Sequence, residues 1–149
     1  MPSFTEASSK ASGVPVDEKC VCAFEDLKSR HKFKYVILRV SDDNKKIITE
    51  ATVETGSWED YCKNMPADEC RYGVYDFNYV LPDGGARNKV VFIAWAPDTA
   101  NVKKKMVFSS SKDALIKKLN GIQHIVQASD KDELDYEEIK DKISKGGTN

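Results

Sequence analysis

RYGVYDFNYVLPDGGARNKVVFIAWAPDTANVKKKMVFSSSKDALIKKL, residues 71–119, holds a strand, a turn, a second strand and a long helix in close succession. Arg71 to Leu81 is rich in aromatic and β-branched residues and reads as a long strand. Pro82-Asp83-Gly84-Gly85 supplies turn chemistry, and Lys89 to Trp95 returns as a strand apolar enough to be buried on both faces. The Gly-Gly pair lacks the spacing and the Lys-Ser/Thr ending of a phosphate-binding loop. After Pro97, Asp98 or Thr99 is expected to open a helix reaching about Leu119, with Gly121 ending it. Ser109-Ser110-Ser111 lies in its middle, where hydroxyls compete for backbone carbonyls, so a kink is expected there, with Asp113 restarting the second half.

Upstream, residues 1 to about 13 read as a flexible arm of small and polar residues. Asp17 is placed to cap a helix whose apolar positions Val21, Phe24 and Leu27 recur at helical spacing. Phe33–Val40 and Ile47–Val53 are β-branched and aromatic, and Asp42-Asp43-Asn44 between them predicts a hairpin. Ser57 with Asp60 opens a short helix that ends before Pro66. Downstream, Ile125–Ala128 is a strand. Asp135 with Glu138 then starts a last helix whose apolar face is Tyr136, Ile139 and Ile143. This order predicts an α/β (α+β) fold with a central mixed sheet covered by helices.

The chain has 149 residues, 40% hydrophobic and 32% charged, which suits one core with a well-solvated surface. The longest apolar run, Val90–Ala96, is far short of the roughly 20 residues a membrane span needs. Neither a signal peptide nor a lipidation signal is read at the ends, so a cytoplasmic protein is expected. Net charge is −1, yet residues 87–118 carry eight basic residues against two acids. A local basic region on a near-neutral chain suits an acidic partner surface better than bulk nucleic acid; a merely solvated lysine face is the plainer alternative.

Chemistry is scarce. His31 and His124 have no neighbouring nucleophile, metal spacing or paired carboxylate, so no catalytic residue, metal ligand or cofactor is assigned. His124 is a candidate pH-sensing group because an unperturbed imidazole titrates near physiological pH. Cys20 and Cys22 lie two apart in a predicted helix, where side chains point in different directions and do not share an ion easily. The acidic stretch 130–138 lacks the ligand spacing of a calcium loop, and no aromatic–basic signature of an RNA-binding sheet is present.

The ordered set Arg71-Tyr72-Gly73-Val74-Tyr75-Asp76-Phe77, Arg87-Asn88-Lys89, Trp95-Ala96-Pro97-Asp98-Thr99-Ala100, Lys103-Lys104-Lys105-Met106 and Ser110-Ser111-Lys112-Asp113-Ala114-Leu115 closely resembles the cofilin and actin-depolymerising-factor family. Ser12-Gly13-Val14 resembles that family's N-terminal segment and Tyr136–Lys145 its last helix, so the likeness covers about residues 12–145. It implies a five- to six-stranded mixed sheet sandwiched between helices. One ADF-homology domain then spans 12–149 behind a flexible extension, 1–11.

The resemblance further implies a monomer that binds monomeric and filamentous actin, prefers ADP-bound subunits, severs filaments and speeds their depolymerisation. By position, Ser12, Gly13, Lys103, Lys105 and Met106 match the surface used for monomer and filament. Arg87, Lys89, Asp141, Lys142 and Lys145 match the filament-specific surface. Ser12 matches the regulatory phosphorylation site, although it lies behind the extra stretch Met1–Ala11. The basic helix is the implied site for competing inositol phospholipids at a membrane surface. Ser29-Arg30-His31-Lys32 lacks the basic insertion of vertebrate relatives, so nuclear import is not expected. Two alternatives are a coactosin-like or drebrin-like module that decorates filaments without severing, and an enzyme built on a similar sheet.

Overall fold

The run Val90–Ala96 is apolar because its strand is covered on both sides. Val90, Phe92 and Ala94 enter one hydrophobic cluster, while Val91, Ile93 and Trp95 enter a second across the sheet. The computed structural model describes residues 13–146. The extension expected over 1–11, Ser12 and the last residues lie outside the described residues.

Among the described residues, four helices and five strands are arranged as α1 (Glu18–Arg30), β1 (Tyr35–Val40), β2 (Ile47–Val53), α2 (Trp58–Lys63), β3 (Arg71–Val80), β4 (Ala86–Trp95), α3 (Val102–Lys118), β5 (His124–Ala128) and α4 (Tyr136–Gly146). Strand order is β2-β1-β3-β4-β5. All pairings are antiparallel except β4 with β5, which α3 joins as a parallel crossover. The sheet is therefore mixed, with five strands. One layer buries Phe24 and Leu27 of α1 and Phe108 and Leu115 of α3. The other buries Trp58 and Tyr61 of α2 and Ile139 and Ile143 of α4.

Two contacts fix α3 on the sheet. Tyr72 of β3 stacks on Phe108 with ring centroids 4.0 Å apart, and its hydroxyl donates to the Phe108 carbonyl at 2.6 Å. Across the sheet Gly73 is pressed by the Tyr61 side chain, where any Cβ would collide with the phenol. Two expected caps form: Ser57 and Asp60 bond reciprocally at the start of α2, and Asp135 Oδ2 accepts from Glu138 N at 3.0 Å.

Some local expectations are corrected. Asp17 precedes α1, but its side chain makes no capping hydrogen bond; its carbonyl accepts from Cys20 N instead. Pro97–Ala100 closes a turn, Ala100 N donating to Pro97 O at 3.0 Å. That delays the helix, so Asn101 caps α3 in place of Asp98 or Thr99. α3 is one continuous helix from Val102 to Lys118, so Asp113 starts no second segment. The Ser110 hydroxyl does bond back to the Val107 carbonyl at 3.2 Å, whereas the buried Ser111 hydroxyl accepts from Val14 N at 3.1 Å. β4 begins three residues before Lys89, at Ala86, and the acidic stretch contains a 3-10 turn, Lys131–Leu134, capped by Asp130.

Candidate functional site

Asn101 Oδ1 accepts from Lys104 N at 3.1 Å and sets the start of α3. At 100° per residue, Phe108, Ser111, Leu115 and the capping Leu119 face the core, and all four are buried. The opposite side carries Val102, 73% exposed, and Met106, 66% exposed. These are four residues apart and form one apolar step on the solvent face. Lys103 and Lys105 lie on the two shoulders of that step. Among the described residues, α3 thus carries one packed apolar face and a second, exposed apolar step.

The three consecutive lysines divide their work. Lys103 is exposed and meets no acid among the described residues, and Lys105 Nζ reaches only the Asp98 carbonyl, at 3.4 Å. Lys104 turns inward: its Nζ donates to the carbonyls of Asp42 at 2.9 Å and Ser41 at 3.2 Å. The middle lysine thus fastens α3 to the β1–β2 turn.

The N-terminal segment crosses α3 one to two turns beyond Met106. Gly13 has φ +102°, and a Cβ there would lie 2.5 Å from Ser111 Oγ and 2.6 Å from Ser111 Cα. Next to it, Val14 N donates to Ser111 Oγ. Gly13 thus lies against Ser110 and Ser111 of α3, about one turn along the helix from Met106. Ser12 lies outside the described residues.

A second group gathers at the other end of β4. Arg87 and Lys89 share a face of the strand, the face that looks toward α4. His124 opens β5 opposite Val91. Burial holds the His124 imidazole below its ordinary pKa, and the charges of Lys142 and Lys89 push it the same way. Lys89, His124 and Lys142 are thereby electrostatic neighbours. Asp141 and Lys145 form an ion pair at 3.2 Å on the exposed side of α4, so Lys145 is partly neutralised locally. From Arg87 to Trp95, strand geometry gives roughly 26 Å, so the two groups sit at opposite ends of the sheet.

Burial works against thiolate formation at Cys20, Cys62 and Cys70. Cys20 is buried and Cys22 exposed, facing different ways. Burial raises the thiol pKa of Cys20 and Cys70, and pushes Cys62 up to about 11. Among the described residues no group of three His, Cys, Asp or Glu could hold a metal ion, and no helix is long and apolar enough to cross a membrane.

Val102 is a second exposed apolar residue on this face, beyond those the family resemblance implies. Its signal was present: it stands one helical turn before Met106 and opposite Phe108 and Leu115, so it could not face the core. Ser111, in the serine run expected to bend the helix, accepts a hydrogen bond from Val14 of the N-terminal segment.

The family model for cofilin/tropomyosin-type actin-binding protein matches residues 13–144. A cofilin of Mycosarcoma maydis is 44% identical over 135 residues, 91% of this chain and 97% of that protein. Actin-depolymerizing factor 3 of Arabidopsis thaliana is 38% identical, covering 90% of this chain and 97% of the relative. In three dimensions, the crystal structure of Streptomyces griseoflavus cofilin superposes with a TM-score of 0.82 at 38% identity, over 89% of this chain and 98% of that one.

Proposed function

The chain belongs to the cofilin and actin-depolymerising-factor family, and we propose that it turns over actin filaments by gripping two neighbouring subunits through the two surfaces at opposite ends of its sheet. It binds actin and promotes depolymerisation. The observation that carries the proposed mode is the exposed Val102–Met106 step on α3, flanked by Lys103 and Lys105. An apolar centre with cationic shoulders suits a groove that is apolar within and acidic at its rim.

On this reading Val102, Lys103, Lys105, Met106 and Gly13, with Ser12 beside it, engage a monomer or a filament subunit. Arg87, Lys89, Lys142, Asp141 and Lys145 touch the next subunit along a filament. A protein with both surfaces binds most tightly to the subunit geometry that satisfies both, and shifts the filament toward it. Severing follows at boundaries between altered and unaltered filament. The protein acts as a monomer in the cytoplasm, on the actin cytoskeleton, and prefers ADP-bound subunits. Inositol phospholipids compete for the basic helix, and phosphate on Ser12 opposes docking by adding negative charge beside an acidic partner. Binding without covalent chemistry is sufficient for this activity.

The surfaces are separable. Arg87→Ala with Lys89→Ala is expected to leave monomer affinity within about twofold and to weaken filament binding about tenfold or more, as loss of interfacial charges would. Pelleting with filaments and titration of labelled monomers check this; equal loss in both assays would refute the division.

His124 makes the second surface pH-sensitive. Its folded-state pKa lies below that of the unfolded chain, so its neutral form contributes stability above about pH 6.5 that is lost as pH falls. Protonation also adds a positive charge beside Lys89 and Lys142, which favours an acidic partner. Lowering the pH from 7.5 to 6 is therefore expected to reduce the melting temperature of the free protein relative to His124→Gln while tightening filament binding. A variant with the same pH response as the parent would remove His124 from this role.

A further inference from the structure

The end of the β3–β4 hairpin runs past its neighbouring strands, although Phe77, Tyr79 and Val90 stay buried. β1 pairs with β3 only from Tyr72 to Tyr75, and β5 pairs with β4 only from Val91 to Trp95, whereas β3 and β4 stay paired out to Val80 and Ala86. Residues 76–80 and 86–90 thus form a two-stranded ribbon, and this ribbon carries Arg87 and Lys89. Such a ribbon is marginally stable alone and twists readily. Where those cations point depends on how its base is held.

Asp76 sits at that base and is 6% exposed. Its Oδ1 accepts from Asn88 Nδ2 at 2.9 Å, across the ribbon. Its Oδ2 lies 3.1 Å from Nδ1 of His31. His31 ends α1 in the left-handed conformation, φ 52°, its own N–H bonded to the Asp26 carbonyl. Asp76 N also donates to the Lys34 carbonyl at 2.9 Å. One carboxylate therefore ties both strands of the ribbon to the end of α1. Asn88 stands between Arg87 and Lys89 with its side chain on the opposite face, so gripping Asn88 sets the strand's rotation there. On the other face Phe77 stacks against Tyr136 of α4 at 5.1 Å.

We propose that Asp76 is the positioning residue of the filament surface: through Asn88 and His31 it fixes the ribbon in the orientation that presents Arg87 and Lys89. This rests on the reading that those two residues contact filaments. A charge-assisted hydrogen bond to a buried carboxylate is strong enough to hold such a ribbon, and its loss leaves the arm attached but loosely aimed.

The full chain, Asp76→Ala, Asn88→Ala and the Arg87→Ala/Lys89→Ala double variant are compared for filament binding, monomer binding and amide hydrogen exchange. For Asp76→Ala the expected result is filament affinity about tenfold lower, monomer affinity within about twofold, and ribbon amides exchanging about tenfold faster than those of β1. Asn88→Ala, which trims an exposed side chain, shows the same split at smaller size and decides the matter if Asp76→Ala does not fold. Unchanged filament affinity in Asp76→Ala and Asn88→Ala, with the double variant impaired, would overturn the proposal. Ribbon exchange as slow as in the parent would also overturn it. If the double variant itself binds filaments normally, the filament reading of Arg87 and Lys89 fails, and the exchange rates still decide whether Asp76 orders the ribbon.

Discussion

Lys103→Ala combined with Lys105→Ala is expected to abolish binding to monomeric actin at micromolar protein while leaving the melting temperature of the free protein essentially unchanged. Neither side chain supports the fold. Lys103 is solvent-exposed, and Lys105 offers one long contact, 3.4 Å, to the Asp98 carbonyl. Truncating one member of a desolvated interfacial charge pair costs about 2–5 kcal/mol, and each 1.4 kcal/mol is a factor of ten in affinity. Losing two on either side of the Val102–Met106 step therefore removes micromolar binding. Lys104→Ala is the contrast. That side chain holds the Ser41 and Asp42 carbonyls, so its removal lowers the melting temperature before it touches the contact face. Calorimetry of the three variants beside a monomer titration separates the roles; a double variant that binds like the parent would show the lysines to be a solvated surface only.

Gly13→Ala carries the second large effect. Its φ of +102° is costly for any residue with a Cβ, and the added methyl would sit 2.5 Å from Ser111 Oγ and 2.8 Å from the Ser110 carbonyl. Backbone cannot yield there without disturbing α3, so the N-terminal segment lifts away and the Val14–Ser111 hydrogen bond is lost. The chain stays anchored just beyond, where Ile47 N donates to Pro15 O and Asp17 N to Ile47 O, so the fold survives. On the proposed docking mode, the expected result is roughly tenfold weaker binding to both monomers and filaments, with the helix lysines untouched. Accelerated exchange of the Val14 amide should accompany it. Normal affinity in Gly13→Ala would exclude the segment from the contact.

The strands were legible in the sequence because they are rich in β-branched and aromatic residues and their turns are chemically marked: Ile47–Val53 and the Asp83-Gly84-Gly85 turn follow from residue type alone. Helix starts were less so. Asp98, Thr99 and Asn101 are all competent caps, and only the Pro97–Ala100 turn, a matter of tertiary fit, selects Asn101. The 3-10 turn at Lys131–Leu134 is a single turn and too short to show a period. At the site, the basic run pointed to α3, but composition could not assign three adjacent lysines to different jobs. That division depends on the β1–β2 turn lying within reach of Lys104, a contact 62 residues apart in the chain. Asp76 was likewise invisible as a brace, because its partners His31 and Asn88 come from α1 and β4. Met106 was identified by resemblance, and Val102 emerged once the buried face of α3 was fixed by Phe108 and Leu115.

Titration of labelled actin monomers with the purified chain, run in parallel with the Lys103→Ala/Lys105→Ala variant, asks most directly whether the outer face of α3 is what holds actin. Saturable binding by the parent in the micromolar range, and none by an equally folded variant, is the predicted result. A folded parent that leaves monomers unbound, or a variant that matches it, would contradict the assignment.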